Sequence, residues 1–225
     1  AFVGDSLAGA QKVAEYAGKK HRGKTFVYRI HDKPDPEKLS SFSYFIKRFG
    51  YALDADDPKG LSASMNKLMN DVAGKKEQNI VETLALRTMA KAVYSTDNIG
   101  HYGLSFPYYT HFTSPIRRYP DMMVHRLLTK YLEGEAPRDG AKYEKLCEHS
   151  SKRERLATDA ERASIKYKQV EFMSDKIGRK FEGIISGVTE WGIYVELIEN
   201  QCEGMVAIRD LQEDFFEYDE VNYCI

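Results

Sequence analysis

HFTSPIRRYPDMMVHRLL, residues 111–128, holds more local instruction than an amphipathic helix needs. Thr113 or Ser114 suits a helix cap, and Pro115 suits the first helical position. Pro120 then removes a backbone N–H five residues later, and its ring clashes with the carbonyl of Ile116. The chain is therefore expected to turn once, break, and restart as a helix at Pro120. Arg117, Arg118 and Tyr119 fall on the irregular turn between the two pieces. Two guanidiniums on such a turn can grip phosphate oxygens bidentately.

Tyr108, Tyr109, Phe112 and Tyr119 surround this pair. Rings interleaved with arginines suit single-stranded RNA, where rings stack on bases and guanidiniums hold the backbone. A plainer reading stands beside it: the aromatics are core, and Arg117 or Arg118 pairs with Asp121 along the helix. His125, four residues after Asp121, reads as a hydrogen-bonded helix residue. His101 and His111 lack a third ligand at metal-site spacing.

Outward from this stretch, helical periodicity runs over 7–17 (Leu7, Ala10, Val13, Ala14 and Ala17 inward) and 36–50 (Leu39, Phe42, Phe45, Ile46 and Phe49 inward, Gly50 as stop). It runs again over 61–73, 77–94 (Ile80, Leu84, Met89 and Val93 inward) and 120–133, where Val124, Leu127, Leu128 and Tyr131 form the stripe. TFVYRI at 25–30 reads as a strand, 54–60 as a polar turn and 95–103 as a loop. A long helix is expected over 143–177, with Ala157, Ala160, Ala163, Tyr167, Val170, Met173 and Ile177 on its packed face. After Gly178 the period drops to two: Phe181, Gly183, Ile185, then Ile193, Val195, Leu197 around a Trp191-Gly192 turn, with a third strand over Gly204–Ile208. A domain boundary is expected there, giving 1–178 and 179–225.

With 33 basic against 34 acidic residues, bulk charge does not recruit nucleic acid, so any RNA contact must come from a local cluster. No apolar run is long enough to cross a membrane, and the start lacks the basic-then-apolar order of a secretory signal. Cys147, Cys202 and Cys224 share no paired spacing and read as reduced thiols of a cytoplasmic protein.

HYGLSFPYYTHFTSPIRRYPDMMVHRLL resembles the signature of the RNase II/RNase R (RNB) family of exoribonucleases, with the RNase R branch closer, judged by RIHDKP and SPIRRYPD. TFVYRIHDKPDPEKL, LALRTMAKAVY and ATDAERASIKY follow the family order, and GRKFEGIISGVTEWGIYVEL resembles the start of an S1 domain. The resemblance implies an α+β protein: the mostly helical C-terminal part of an RNB catalytic domain (1–178), then the first part of an OB-type S1 barrel (179–225). It implies that Arg117 holds a phosphate at the reacting 3′ end and that Glu161 lies beside the terminal nucleotide, as catalytic residues. Arg118, Tyr119, Tyr109, His111 and Ser114 are then RNA-binding, joined by Trp191 and Tyr194 on the S1 face. The histidine common in S1 domains after the third strand is Ala207 here, and the first ten residues depart from the family pattern.

The implied function is Mg2+-assisted, processive 3′→5′ hydrolysis of single-stranded RNA to nucleoside 5′-monophosphates, by a parent expected to be monomeric. The family's aspartate cluster lies upstream of everything seen here, so no metal ligand is assigned and the isolated segment is expected to be inactive. Asp54, Asp56 and Asp57 mimic that cluster, but they follow RIHDKP instead of preceding it and run into Pro58; they read as a solvated loop. Both ends read as cut, since three strands are visible and an OB barrel needs five. A non-catalytic RNA-binding module and a helical scaffold with structural arginines are the competing readings.

Overall fold

The computed structural model describes residues 2–54, 58–211 and 216–219. Asp56, Asp57 and Cys224 lie outside the described residues. The fold is α+β, and the chain divides into two compact units. Residues 1–33 and 90–161 form one, and residues 34–89 and 162–225 form the other.

The first unit opens with α1 (Phe2–Lys20). Ala10, Ala14 and Ala17 are buried as expected, whereas Leu7 is 38% exposed. The expected strand over 25–30 shortens to β1 (Tyr28–Ile30), which pairs antiparallel with β2 (Val93–Ser95). The expected helix over 77–94 is overturned here. Its helical part ends at Thr88, Met89 is already extended, and Val93 is 39% exposed on β2. Apolar spacing carried the pattern forward, but pairing with β1 takes the segment.

A 3-10 turn over Tyr102–Leu104 interrupts the expected loop. Then α5 (Tyr119–Leu132) follows, with Val124, Leu127 and Tyr131 fully buried and Gly134 beyond it at φ 81°. The core gathers Ala14, Ala17, Phe26, Val27, Tyr28, Tyr94, Met123, Val124, Leu127, Tyr131 and Cys147.

Cys147 belongs to α6 (Gly140–Met173), 34 residues and so about 51 Å long. Its expected packed face is overturned. Tyr167 is 68% and Val170 62% exposed, and Ile177 beyond it is 89% exposed. Three side chains at one-turn multiples tie its N-terminal part to the paired strands β1 and β2 instead. Glu144 accepts from Ser95 Oγ and the Thr96 N–H, Ser151 Oγ accepts from the Tyr94 N–H, and Glu154 takes Arg29.

In the second unit, α2 (Pro36–Lys47) starts on Asp35, whose carboxylate accepts from the Glu37 and Lys38 N–H groups, with Pro36 at the first position. Leu39, Phe42, Phe45 and Ile46 are buried, but Phe49 lies past the helix end and is 43% exposed. α3 (Pro58–Val72) and α4 (Gln78–Thr88) complete the helical part, Gly74 turning the chain between them at φ 76°.

After Gly178 (φ 87°) come β3 (Gly183–Thr189), β4 (Gly192–Leu197) and β5 (Glu203–Ala207), an antiparallel sheet in that order with Trp191 at the first turn. Among the described residues this sheet is open. A Cβ on Gly192 would run into the carbonyl oxygen of Val206, so that turn needs glycine.

Candidate nucleic-acid interface

The backbone around Arg117 does what Pro115 and Pro120 dictate. One turn closes as the Arg117 and Arg118 N–H groups donate to the Ser114 carbonyl, at 3.2 and 3.0 Å. Arg118 is then extended at φ −116°, ψ 114°, and α5 restarts with Pro120 in its first turn. No side chain caps that start by the usual route. Asp121, wholly buried in the first turn, reaches back to accept from the Ser114 N–H at 2.7 Å and from Arg118 Nη2 at 2.9 Å. The carboxylate is a rivet: it holds both ends of the turn, and an anion suits a helix N-terminus.

That rivet settles which arginine pairs. Arg118 belongs to Asp121. Arg117 is exposed and forms no ion pair among the described residues. His125 donates from Nε2 to the Phe112 carbonyl at 2.8 Å and stacks on the Phe112 ring at 4.1 Å, a structural role.

Arg117, Arg118, Tyr119 and Pro120 form one wall of a cleft of about 700 Å³. Facing residues on α6 are Leu146, His149, Ser150, Arg153, Glu154, Ala157, Thr158 and Glu161, a stripe at three- and four-residue spacing. Tyr94 closes the floor.

Behind the floor, Arg29 and Tyr94 are directly opposed across β1 and β2, so their side chains share a face. The Arg29 guanidinium sits 4.5 Å from the Tyr94 ring centroid and 2.6 Å from Glu154. Burial pushes the Tyr94 phenol up to about 12, so it stays protonated. Burial first, then the charges of Arg118 and Arg29, hold the His111 imidazole down at about 4, so it is neutral at physiological pH. The Tyr94 hydroxyl and His111 Nδ1 share a hydrogen bond of 2.7 Å. His111 thus orients Tyr94 from behind the cleft. Tyr109, 8% exposed, packs its ring edge-on to His111 and His101.

Of the residues singled out from sequence, Arg117, Arg118, Tyr119 and Glu161 meet in this cleft. Tyr109 and His111 stand behind it, and Ser114 contributes backbone to the turn beneath it. Trp191, 68% exposed, and Tyr194, opposite Gly187 and Met205, belong to the other unit's sheet. Sequence reasoning missed Tyr94, His149, Arg153, Glu154 and Arg29. The α6 members were discoverable, because they repeat at helical spacing with Glu161. Arg29, 125 residues from Glu154, offered no local signal.

Among the described residues, no group of three or more His, Cys, Asp or Glu side chains converges to hold a metal ion. The cleft residues therefore do not fit a metal site. What the cleft offers is two uncommitted guanidiniums, Arg117 and Arg153, an exposed ring, and a carboxylate acceptor.

Residues 7–134 match the RNB domain family. The chain belongs to the RNB domain family. Ribonuclease R of Aquifex aeolicus (strain VF5) is 42% identical over 207 residues, covering 89% of this chain and 29% of that relative. Ribonuclease R 1 of Lactococcus lactis subsp. lactis (strain IL1403) is 44% identical over 207 residues, covering 88% and 25%. The chain thus spans under a third of these RNB relatives.

Among solved structures, Mycoplasma genitalium RNase R in complex with ribose methylated single-stranded RNA has a TM-score of 0.83 at 26% identity, covering 97% of this chain and 35% of that one. Yeast Ssd1, a pseudonuclease, has a TM-score of 0.73 at 26% identity, covering 90% of this chain and 26% of that one. This fold is therefore shared with a protein named RNase R and with one named a pseudonuclease.

Proposed function

We propose that this chain is part of a hydrolytic 3′→5′ exoribonuclease that degrades single-stranded RNA processively to nucleoside 5′-monophosphates. The observation that carries the reading is the division of labour between adjacent arginines. Asp121 consumes Arg118 to fix the turn, and Arg117 is left uncommitted on the cleft wall. RNB membership and the relatives named Ribonuclease R support the same reading.

In this proposal Arg117 grips the phosphate nearest the 3′ end, Tyr119 (49% exposed) packs against a base or sugar, and Glu161 accepts from a ribose hydroxyl. Residues 1–178 are then the C-terminal part of the RNB domain. Residues 179–225 begin an S1 domain, offering Trp191 and Tyr194 to bases. Mg2+ would supply the activated water in the whole protein, with ligands from outside the described residues. The setting is cytoplasmic.

The test is binding of a 5′-labelled, 3′-hydroxyl single-stranded RNA to this chain, and degradation of it by the longer protein of which we propose it is part. Arg117→Ala should weaken binding about tenfold and reduce the salt slope by about 1, with little loss of stability. This chain alone should not degrade RNA with Mg2+, whereas the longer protein should release 5′-monophosphates from the 3′ end. Unchanged binding by Arg117→Ala, or internal cuts by the longer protein, would refute the proposal. A longer protein that binds but never degrades would place it with the pseudonuclease.

A further inference from the structure

Four guanidiniums stand in or directly behind the cleft: Arg117, Arg118 and Arg153 on its walls, and Arg29 behind Tyr94. Three carboxylates stand close by: Asp121, Glu154 and Glu161. The pairing is selective. Asp121 takes Arg118, and Glu154 takes Arg29. Arg117 and Arg153 form no ion pair among the described residues.

Glu154 is a cleft residue adjacent to Arg153 and 40% exposed, so it could turn toward either free cation if it were released. Arg29 prevents this from the protein side. Its side chain is only 13% exposed, clamped between the Glu154 carboxylate at 2.6 Å and the Tyr94 ring at 4.5 Å. Its own backbone is fixed by the register opposite Tyr94 and by an N–H donated to the Tyr109 carbonyl at 2.9 Å. A short contact at low exposure holds the carboxylate far better than a surface pair would.

We infer that Arg29 is a positioning residue that sequesters Glu154, keeping Arg117 and Arg153 available for RNA phosphates. Arg29 does not touch RNA; it sets the net charge that RNA meets. This rests on the proposed phosphate role of Arg117. It adds a residue outside the cleft, and a second cation, Arg153, inside it.

The experiment uses the full chain and the same labelled RNA, with Arg29→Met, Glu154→Gln and the double variant, each checked for its thermal midpoint. Arg29→Met frees the carboxylate and should weaken binding about tenfold, because a released carboxylate then competes with RNA phosphates for the guanidiniums of the cleft. The double variant removes the competing charge and should regain the parent affinity while staying as destabilised as Arg29→Met. That recovery of affinity without stability is what a packing role would not produce. Equal weakness of Arg29→Met and the double variant, or no change in Arg29→Met, overturns the inference. If Arg117→Ala binds like the parent, the phosphate reading fails and takes this inference with it. If Arg117→Ala weakens binding and Arg29→Met does not, only this inference fails.

Discussion

Replacing Asp121 tests the turn on which every other feature of the cleft depends. The side chain is 0% exposed, and one of its oxygens accepts both the Ser114 N–H and Arg118 Nη2. Alanine there strands a backbone donor and a guanidinium that is only 22% exposed. Breaking a buried pair by removing one partner costs about 3–5 kcal/mol. The lower half of that range applies, because the contact uses a single carboxylate oxygen. Asp121 Oδ1 and Arg118 Nε find no partner among the described residues. A loss of about 3 kcal/mol should lower the thermal midpoint by roughly 6–12 °C for a chain of this size. Asp121→Asn keeps an acceptor for the Ser114 N–H and should lose about half as much.

Urea unfolding with a common slope measures the stability change. The informative readout is RNA affinity in the still-folded fraction. Asp121 is buried and cannot touch RNA, yet Asp121→Ala should weaken binding to nearly the level of Arg117→Ala, since the turn presenting Arg117 loses both its ties. Asp121→Ala that stays within about 1 kcal/mol of the parent would mean the pair is not the rivet. Full RNA affinity in a destabilised Asp121→Ala would mean Arg117 needs no such turn.

Burial, followed by the neighbouring charges of His31 and Arg29, also holds His101 down at about 4. With His111 held at a similar value, both rings are neutral when folded and take protons more readily when unfolded. Their stabilisation is full above about pH 6.5 and declines as pH falls from there toward 4, by on the order of 1–2 kcal/mol each after allowing for partial exposure. His111→Phe should flatten part of that acid limb in urea titrations at stepped pH; an unchanged limb would remove His111 from the account. Trp191→Ala should leave the thermal midpoint nearly unchanged, because the ring is 68% exposed. It should weaken single-stranded RNA binding by roughly 1–3 kcal/mol if bases stack there, as a fluorescence titration would show.

What was legible in the sequence divides along a physical line. Backbone chemistry was readable: Pro115 and Pro120 dictate the turn and break, Gly50 stops the segment that begins at residue 36, and the change of period after Gly178 becomes β3 to β5. Apolar spacing misled where the partner surface was unknown. On α6 it selected Ala157, which does line the cleft, but also Ala160, Tyr167 and Val170, while the face that meets the cleft repeats through Leu146, His149, Arg153 and Glu161. Apolar residues mark a buried face only when something covers them. The choice between Arg117 and Arg118 as partner of Asp121 looked open, because three- and four-residue spacings both suit a helix. Pro120 already contained the answer. It ends regular helix before Arg117 can use the four-residue spacing, and it leaves Arg118, at the edge of the new helix, as the arginine that reaches back. The Arg29–Glu154 pair had no such local logic, since only the fold brings residues 125 positions apart together. The cleft's charge is therefore set by one contact written in neighbouring residues and another written only in the tertiary structure. Mutating Asp121 and Arg29 together should show whether the two act independently: losses of RNA affinity that add would mean separate devices, and losses that do not add would mean both act through Arg117.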